Sequence, residues 1–179
     1  TDELLDICDR IGMFVFDETR RMSSAPQDLE CLRTMVKHAR NHPSVFLYGI
    51  GNEEIFSQHR KETARTTVTM KTEIRKLDPS RNITSAVVCW NGKERFDNAE
   101  QYVDVTKNLD VIGFNYCKTA WDDYHKHMPN QPIIITEASS NSGTRGCYST
   151  NETIGQYYIL DDDNGIKCKN SQKAQRKDI

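Results

Sequence analysis

Residues 41–54 read NHPSVFLYGIGNEE, and this stretch decides the fold prediction. Its apolar part, residues 45–50, is rich in β-branched and aromatic side chains and stops at a glycine, which predicts a buried strand. Asn52 and Glu53 follow it directly. In parallel α/β architectures the carboxyl ends of the strands, with the loops behind them, carry the chemistry. The stretch therefore predicts a strand whose end presents an amide and a carboxylate.

Further apolar runs of strand length occur on both sides of this stretch. They alternate with segments in which apolar residues recur at helical spacing. Because nearly every run is apolar throughout, rather than alternating with polar residues, the pattern favours a parallel sheet covered by helices and an α/β fold. The other strands are predicted at residues 13–16, 83–88, 109–114 and 131–135, and helices at residues 4–11, 27–40, 58–77, 96–107 and 121–128.

Polar and charged residues stand at the ends of all five predicted strands. In a parallel barrel these ends converge on one mouth. Two glutamates with amide and aromatic neighbours suit glycoside hydrolysis, in which one carboxyl group protonates the leaving oxygen and the other attacks the anomeric carbon. The alternative is that these side chains only cap the strands. The residues are Asp17, Glu18, Asn52, Glu53, Trp90, Asn91, Asn115, Tyr116 and Glu137.

Composition limits the classes of partner. The 179 residues suffice for one domain with a core, and 24 Lys and Arg against 26 Asp and Glu give a net charge of −2. This balance gives no electrostatic basis for binding nucleic acid or an anionic membrane, and no apolar run approaches a membrane span of roughly 18–20 residues. The six cysteines form no C-x-x-C pair or Cys/His cluster, so free, mostly buried thiols are predicted.

The strand ends and the turns before them carry a series of motifs. These are residues 4–12 leading to Asp17-Glu18, residues 40–45 leading to Gly51-Asn52-Glu53, and residues 77–81, 110–116, 136–140 and 144–148. Together they resemble glycoside hydrolase family 2, over about residues 4–150. The Asn-His-Pro-Ser block followed by Gly-Asn-Glu is highly specific, and residues 137–148 are most similar to bacterial β-galactosidases of this family.

The resemblance implies a role for each site residue. Glu53 would be the general acid/base on barrel strand four, and Glu137 the nucleophile on strand seven. Asn52 would bind the sugar 2-hydroxyl, and Tyr116 would donate a hydrogen bond to the nucleophile. The remaining residues predicted to bind substrate are Asp17, Glu18, Trp90 and Asn115.

The resemblance also bears on metals and cofactors. Some family members hold a magnesium ion beside the acid/base glutamate, partly with a histidine two residues beyond the Asp-Glu strand end. This chain has Arg20 at that position. Neither a metal ion nor a cofactor is therefore predicted.

The resemblance further implies how the chain relates to a complete family member. Residues 1–160 are predicted to form a partial (β/α)8 TIM barrel, roughly strands three to seven of eight, and residues 161–179 a polar, disordered tail. The implied partners are a carbohydrate substrate, the other barrel strands and the β-sandwich domains of the same protein. Nucleic acid and membrane are not expected as partners.

The predicted function is that of a retaining exo-β-glycosidase. The first expectation is a β-galactosidase that hydrolyses terminal β-galactosides by a two-glutamate double displacement. β-Glucuronidase or β-mannosidase activity on the same scaffold stays open, as does a catalytically silent, truncated carbohydrate-binding barrel.

Overall fold

The structure, a computed structural model, describes residues 1–89, 100–138, 159–161 and 165–167. The chain divides into two compact units, Thr1–Thr136 and Glu137–Ile179. None of the described helices is both long and apolar enough to span a membrane. In order, the elements are α1 (Asp2–Ile11), β1 (Val15–Glu18), α2 (Pro26–Ala39), β2 (Val45–Asn52), α3 (Lys61–Leu77), β3 (Asn82–Val88), α4 (Glu100–Thr106), β4 (Ile112–Asn115), a 3₁₀ turn (Lys118–Ala120), α5 (Trp121–His127), β5 (Ile133–Glu137), β6 (Ile159–Asp161) and β7 (Gly165–Lys167).

The first five strands form one sheet in chain order, β1-β2-β3-β4-β5. Strands β1 to β4 pair in parallel, and Tyr48 of β2, for example, lies between Asp17 of β1 and Ile83 of β3. Each strand is connected to the next through a helix, as in a (β/α) barrel. The predicted α/β fold, part of a TIM barrel, is confirmed.

The first strand differs from its prediction in extent. The sequence predicts a strand that ends before Asp17 and Glu18, whereas β1 includes both residues. Glu18 lies opposite Gly49 of β2. A Cβ at position 49 would come within 2.7 Å of Glu18 Cγ, so glycine is required there for the acidic residue to join the ladder. Met13 and Phe14, predicted to begin the strand, precede it and are exposed.

Aromatic side chains fill much of the core between helices and sheet. Phe114 makes edge-to-face contacts with Tyr102 and Tyr124, with ring centroids 6.4 and 5.5 Å apart. The Tyr124 hydroxyl lies 2.7 Å from Thr106 Oγ1 and 2.6 Å from Gln131 Oε1, and burial raises its pKa to about 12. These contacts show how a chain of modest apolar content satisfies its buried polar groups.

The cysteines correct one prediction. Cys89 and Cys117, which follow β3 and β4 closely, form a disulfide with their Cα atoms 5.3 Å apart, and so are not free thiols. Cys8 is free and buried, while Cys31 is free but exposed. The two bonded residues are 28 positions apart, so local spacing carried no sign of the pairing. Cys147 and Cys168 lie outside the described residues.

The tail predicted for residues 161–179 lies mostly outside the described residues and stays a prediction. Two short strands are described close to its start. They are β6 and β7, which pair antiparallel, with Leu160 opposite Ile166.

The turn between α3 and β3 ties together the amino-terminal side of the sheet. Asp78 is only 4% exposed. Its carboxylate accepts hydrogen bonds from the Ser80 main chain and hydroxyl and from the Tyr48 hydroxyl. Arg81 Nη1 lies 2.6 Å from the same carboxylate. Burial acts to raise the pKa of Asp78, but these hydrogen bonds outweigh it and hold the pKa below its ordinary value.

Replacing Arg81 by Ala in the complete protein should therefore be strongly destabilising. It leaves Asp78 buried without its cation, which costs about 3–5 kcal/mol of unfolding free energy. Urea unfolding at pH 7 measures the loss. Lys76→Ala is the matched control, because Lys76 is exposed and its ion pair with Glu73 should contribute under about 1 kcal/mol.

The same pair of variants gives a pH dependence. The pKa of Asp78 is lower in the folded protein than in the unfolded chain. The stability that Asp78 contributes is therefore fully present above the unfolded-state pKa of about 3.9, and it is lost as pH falls through the folded-state pKa. The difference between wild type and Arg81→Ala should accordingly narrow below about pH 4. If the unfolding free energies of the wild type and Arg81→Ala differ by the same amount at pH 7 and in acid, this account of Asp78 is contradicted.

Candidate active site

The backbone at the end of β2 is strained where Glu53 follows Asn52. Glu53 has a φ of 53°, in the left-handed region. A residue with a side chain occupies this region at a cost on the order of 1–3 kcal/mol, and such strain collects at functional sites. The Glu53 N–H still donates to the Ala86 carbonyl of β3 at 2.9 Å, so the residue stays attached to the sheet. This geometry favours a functional role over a simple strand cap.

The end of β4 has the same irregularity. Tyr116, the residue after the strand, has a φ of 66°. Positive φ is rare for a bulky aromatic residue. The next N–H, that of Cys117, donates back to the Asn115 carbonyl at 2.8 Å and closes a tight turn. Among the described residues, Glu53 and Tyr116 are the only non-glycine residues with positive φ, and both stand at predicted site positions.

Asn115 connects these strand ends. Its side chain is fully buried. Its Nδ2 donates to Asn52 Oδ1 at 2.9 Å and to Glu53 Oε1 at 3.1 Å, and its Oδ1 accepts from the Thr136 hydroxyl at 2.5 Å. Both ends of the amide thus bind protein groups, and we interpret Asn115 as a residue that positions Asn52 and Glu53. Its predicted contact with substrate stays a prediction.

The loop after Glu53 is fixed at two points. The buried Gln58 side chain donates to the Val88 carbonyl and accepts the Val88 N–H, at the end of β3. Glu54 Oε1 accepts the Met22 N–H at 3.0 Å, which joins this loop to the one after β1. The loop after Glu53 and the loop after β1 are therefore held by side-chain to main-chain hydrogen bonds.

A cleft of about 580 Å³ opens beside Glu53, within the usual size of ligand-binding clefts. Glu54 and Arg21 are not among the site residues predicted from the sequence, and Arg20 was predicted only to replace a metal ligand. Their sign in the sequence is that each belongs to a pair of like charges just after a strand, Arg20-Arg21 and Glu53-Glu54. The cleft is lined by Arg20, Arg21, Met22, Ser23, Asp28, Asn52, Glu53, Glu54, Ile55 and Phe56.

The remaining predicted site residues have different positions. Asp17 is half-buried within β1, and burial raises the pKa of its carboxyl group. Glu18 ends the same strand, and neither residue belongs to the described lining of the cleft. Glu137 is the last residue of β5 and is half-buried; it belongs to the second unit. Trp90 lies outside the described residues.

The described residues include one group of potential metal-ligand atoms, on the side of the sheet where β2 begins. The ligand-type atoms of Asp6, Asp9 and His42 lie within 4.8 Å of one another. Asp9 accepts the Ser44 N–H at 2.9 Å and lies 2.7 Å from His42 Nδ1. These bonds give the Asp9 carboxylate and the His42 imidazole partners within the fold.

Known proteins are similar to this chain in both sequence and fold. Residues 23–160 match the model of the glycosyl hydrolases family 2 TIM barrel domain. Beta-galactosidase BoGH2A of Bacteroides ovatus is 28% identical over 188 residues, covering 82% of this chain and 21% of that protein. Beta-glucuronidase of Canis lupus familiaris is 30% identical over 114 residues, covering 58% of this chain and 17% of that protein.

A solved structure supports the same relationship. A glycosyl hydrolase family 2 member from Bacteroides cellulosilyticus superposes with a TM-score of 0.63 at 28% identity, covering 77% of this chain and 18% of that one. The chain therefore spans about a fifth of the length of these relatives.

Proposed function

This chain belongs to glycosyl hydrolase family 2, and from that membership we propose that it carries the two catalytic glutamates of a retaining exo-β-glycosidase. Glu53 is the general acid/base and Glu137 the nucleophile. The observation that carries the proposal is the hydrogen-bonded group of Asn52, Glu53 and Asn115 beside the cleft, with strained backbone at Glu53. We further propose that residues 1–160 are part of the catalytic barrel and residues 161–179 a polar tail.

The first half of the reaction forms a covalent intermediate. Glu53 gives its proton to the glycosidic oxygen as the bond to the aglycone breaks, and the Glu137 carboxylate attacks the anomeric carbon to form a glycosyl ester. The Asn115 amide donates to Glu53 Oε1, which leaves Oε2 as the oxygen that carries the proton. Asn115 thereby fixes the direction in which Glu53 acts.

The second half releases the sugar. Glu53, now ionised, takes a proton from a water molecule, whose oxygen attacks the anomeric carbon and frees the Glu137 carboxylate. Each half inverts the anomeric carbon, so the product keeps the β configuration.

Other residues bind the sugar in this proposal. The Asn52 side-chain oxygen, Oδ1, accepts a hydrogen bond from Asn115, which leaves the side-chain NH₂ of Asn52 to donate to the 2-hydroxyl group. Tyr116 would donate to the Glu137 carboxylate. Asp17, Glu18 and Trp90 complete the proposed set of substrate-binding residues.

β-Galactosides are the first proposed substrates, because a β-galactosidase is among the relatives that align over most of this chain. β-Glucuronides are the second. Several β-glucuronidases are related to the chain, and two arginines line the cleft, which suits a substrate carboxylate.

A panel of aryl β-glycosides tests the proposed function on the complete protein. We expect hydrolysis of the galactoside or the glucuronide over the mannoside, and NMR of the first-formed sugar should show the β anomer. An α anomer as first product would contradict the double displacement. Sugar binding without turnover of any glycoside would favour a silent carbohydrate-binding barrel instead.

A further inference from the structure

Two neighbouring cations line the cleft next to Glu53. Arg20 and Arg21 lie in the loop between β1 and α2, and both are exposed. Among the described residues, neither guanidinium takes part in an ion pair. Arg33 and Arg81, by contrast, pair with the carboxylates of Glu73 and Asp78. The charges of Arg20 and Arg21 are therefore not neutralised by an ion pair in the described part of the chain.

The backbone that carries the two arginines is anchored on both sides. Before them, the Thr19 N–H donates to the Gly49 carbonyl of β2 at 3.1 Å. After them, the Met22 N–H donates to Glu54 Oε1 at 3.0 Å. A Cβ on Gly51 would lie 3.0 Å from Met22 Cβ, so the loop approaches β2 closely. These contacts hold the base of both side chains at the edge of the cleft.

Carboxylates line the same cleft without neutralising the arginines. Asp28, Glu53 and Glu54 are all lining residues. Glu54 is engaged with the Met22 N–H, and Glu53 with Asn115. Within the described part of the chain, none of these three carboxylates forms an ion pair with either guanidinium. The donors of the arginines are thus open to a ligand.

We propose that Arg20 and Arg21 form an anion subsite that binds a carboxylate or sulfate group on the glycoside substrate. A guanidinium presents paired N–H donors that match the oxygens of either group. The substrate class is then an acidic β-glycoside, either a uronic acid glycoside or a sulfated sugar. This inference rests on the proposed function, because the cleft must be where the glycoside binds.

The test compares acidic and neutral substrates in the complete protein. The wild type and the double variant Arg20→Gln/Arg21→Gln are assayed with an aryl β-glucuronide, an aryl 6-sulfo-β-galactoside and an aryl β-galactoside. We expect kcat/KM for an acidic substrate to fall by roughly 10–100-fold, the loss of one to two charge-assisted hydrogen bonds, and the neutral one to stay within about threefold. The acidic substrate that responds identifies the anion.

Arg65→Gln is the control for loss of a positive charge outside the cleft, since Arg65 is exposed on α3 and does not line the cleft. It should leave all three substrates unchanged. A parallel fall for acidic and neutral substrates, or no change in the double variant, would overturn the anion subsite while leaving the glycosidase proposal intact.

Failure of the proposed function has a different signature. If the wild type hydrolyses none of the three glycosides, calorimetric binding of the aryl β-glucuronide and the sulfated galactoside replaces the rate assay. Binding at least about tenfold weaker in the double variant supports the subsite, because lost charge-assisted hydrogen bonds act on binding alone as well. Equal affinity, or no binding to the wild type, overturns it.

Discussion

Replacing Glu53 by Gln in the complete protein is expected to lower turnover according to the leaving group of the substrate. An alkyl glycoside needs a proton on its departing oxygen, so its hydrolysis should slow by about 10²–10⁴-fold, the usual contribution of general acid catalysis. The leaving group of a dinitrophenyl glycoside, dinitrophenolate, departs without needing a proton. The first, covalent step of this substrate should therefore be nearly as fast as in the wild type, and stopped-flow detection of released dinitrophenol measures it.

The second step gives an independent signature of the same variant. Without a general base, water attacks the glycosyl ester slowly, so a burst of dinitrophenol should precede a slow steady state. Azide needs no base and should restore the rate, giving a β-glycosyl azide. Glu54→Gln is the control, because it changes the neighbouring carboxylate that accepts the Met22 N–H. Equal losses for all leaving groups, or no response to azide, would remove Glu53 from the acid/base role.

Replacing Glu137 by Gln should have the largest effect. The amide cannot form the glycosyl ester, so turnover should fall by about 10⁴-fold or more, and to a similar extent for alkyl and dinitrophenyl glycosides. Steady-state kinetics on the complete protein measures the loss. Glu62→Gln is the matched control. It makes the same chemical change at an exposed residue in the first turn of α3. A Glu137 variant that keeps wild-type turnover would exclude the proposed nucleophile.

The order of helices and strands was predictable because the signals are local. The strand at residues 45–50 has an apolar run bounded by proline and glycine, and the observed β2 spans Val45–Asn52. The helix after it shows apolar periodicity, and Met70 and Ile74 are buried in it as the spacing predicts. The end of β1 was not predictable, since it depends on Gly49 of the neighbouring strand making room for Glu18.

The residues that stand at the strand ends were predictable from the sequence, but the hydrogen bonds between them were not. Strand ends identified Asn52, Glu53 and Asn115. The bonds of Asn115 reach residues 62 and 63 positions away, and no local pattern specifies such partners. The left-handed backbone of Glu53 and Tyr116 was equally hidden, because a residue other than glycine gives no sign of positive φ.

Covalent trapping of the nucleophile tests the proposed two-glutamate mechanism most directly. The complete protein is incubated with a 2-deoxy-2-fluoro-β-glycosyl fluoride of the preferred sugar, then digested, and the peptides are sequenced by mass spectrometry. We expect one adduct, an ester on Glu137, that is absent from the Glu137→Gln variant and accumulates without loss of the protein's fold. An adduct on any other residue, or no adduct from a protein that hydrolyses the corresponding glycoside, would contradict the account.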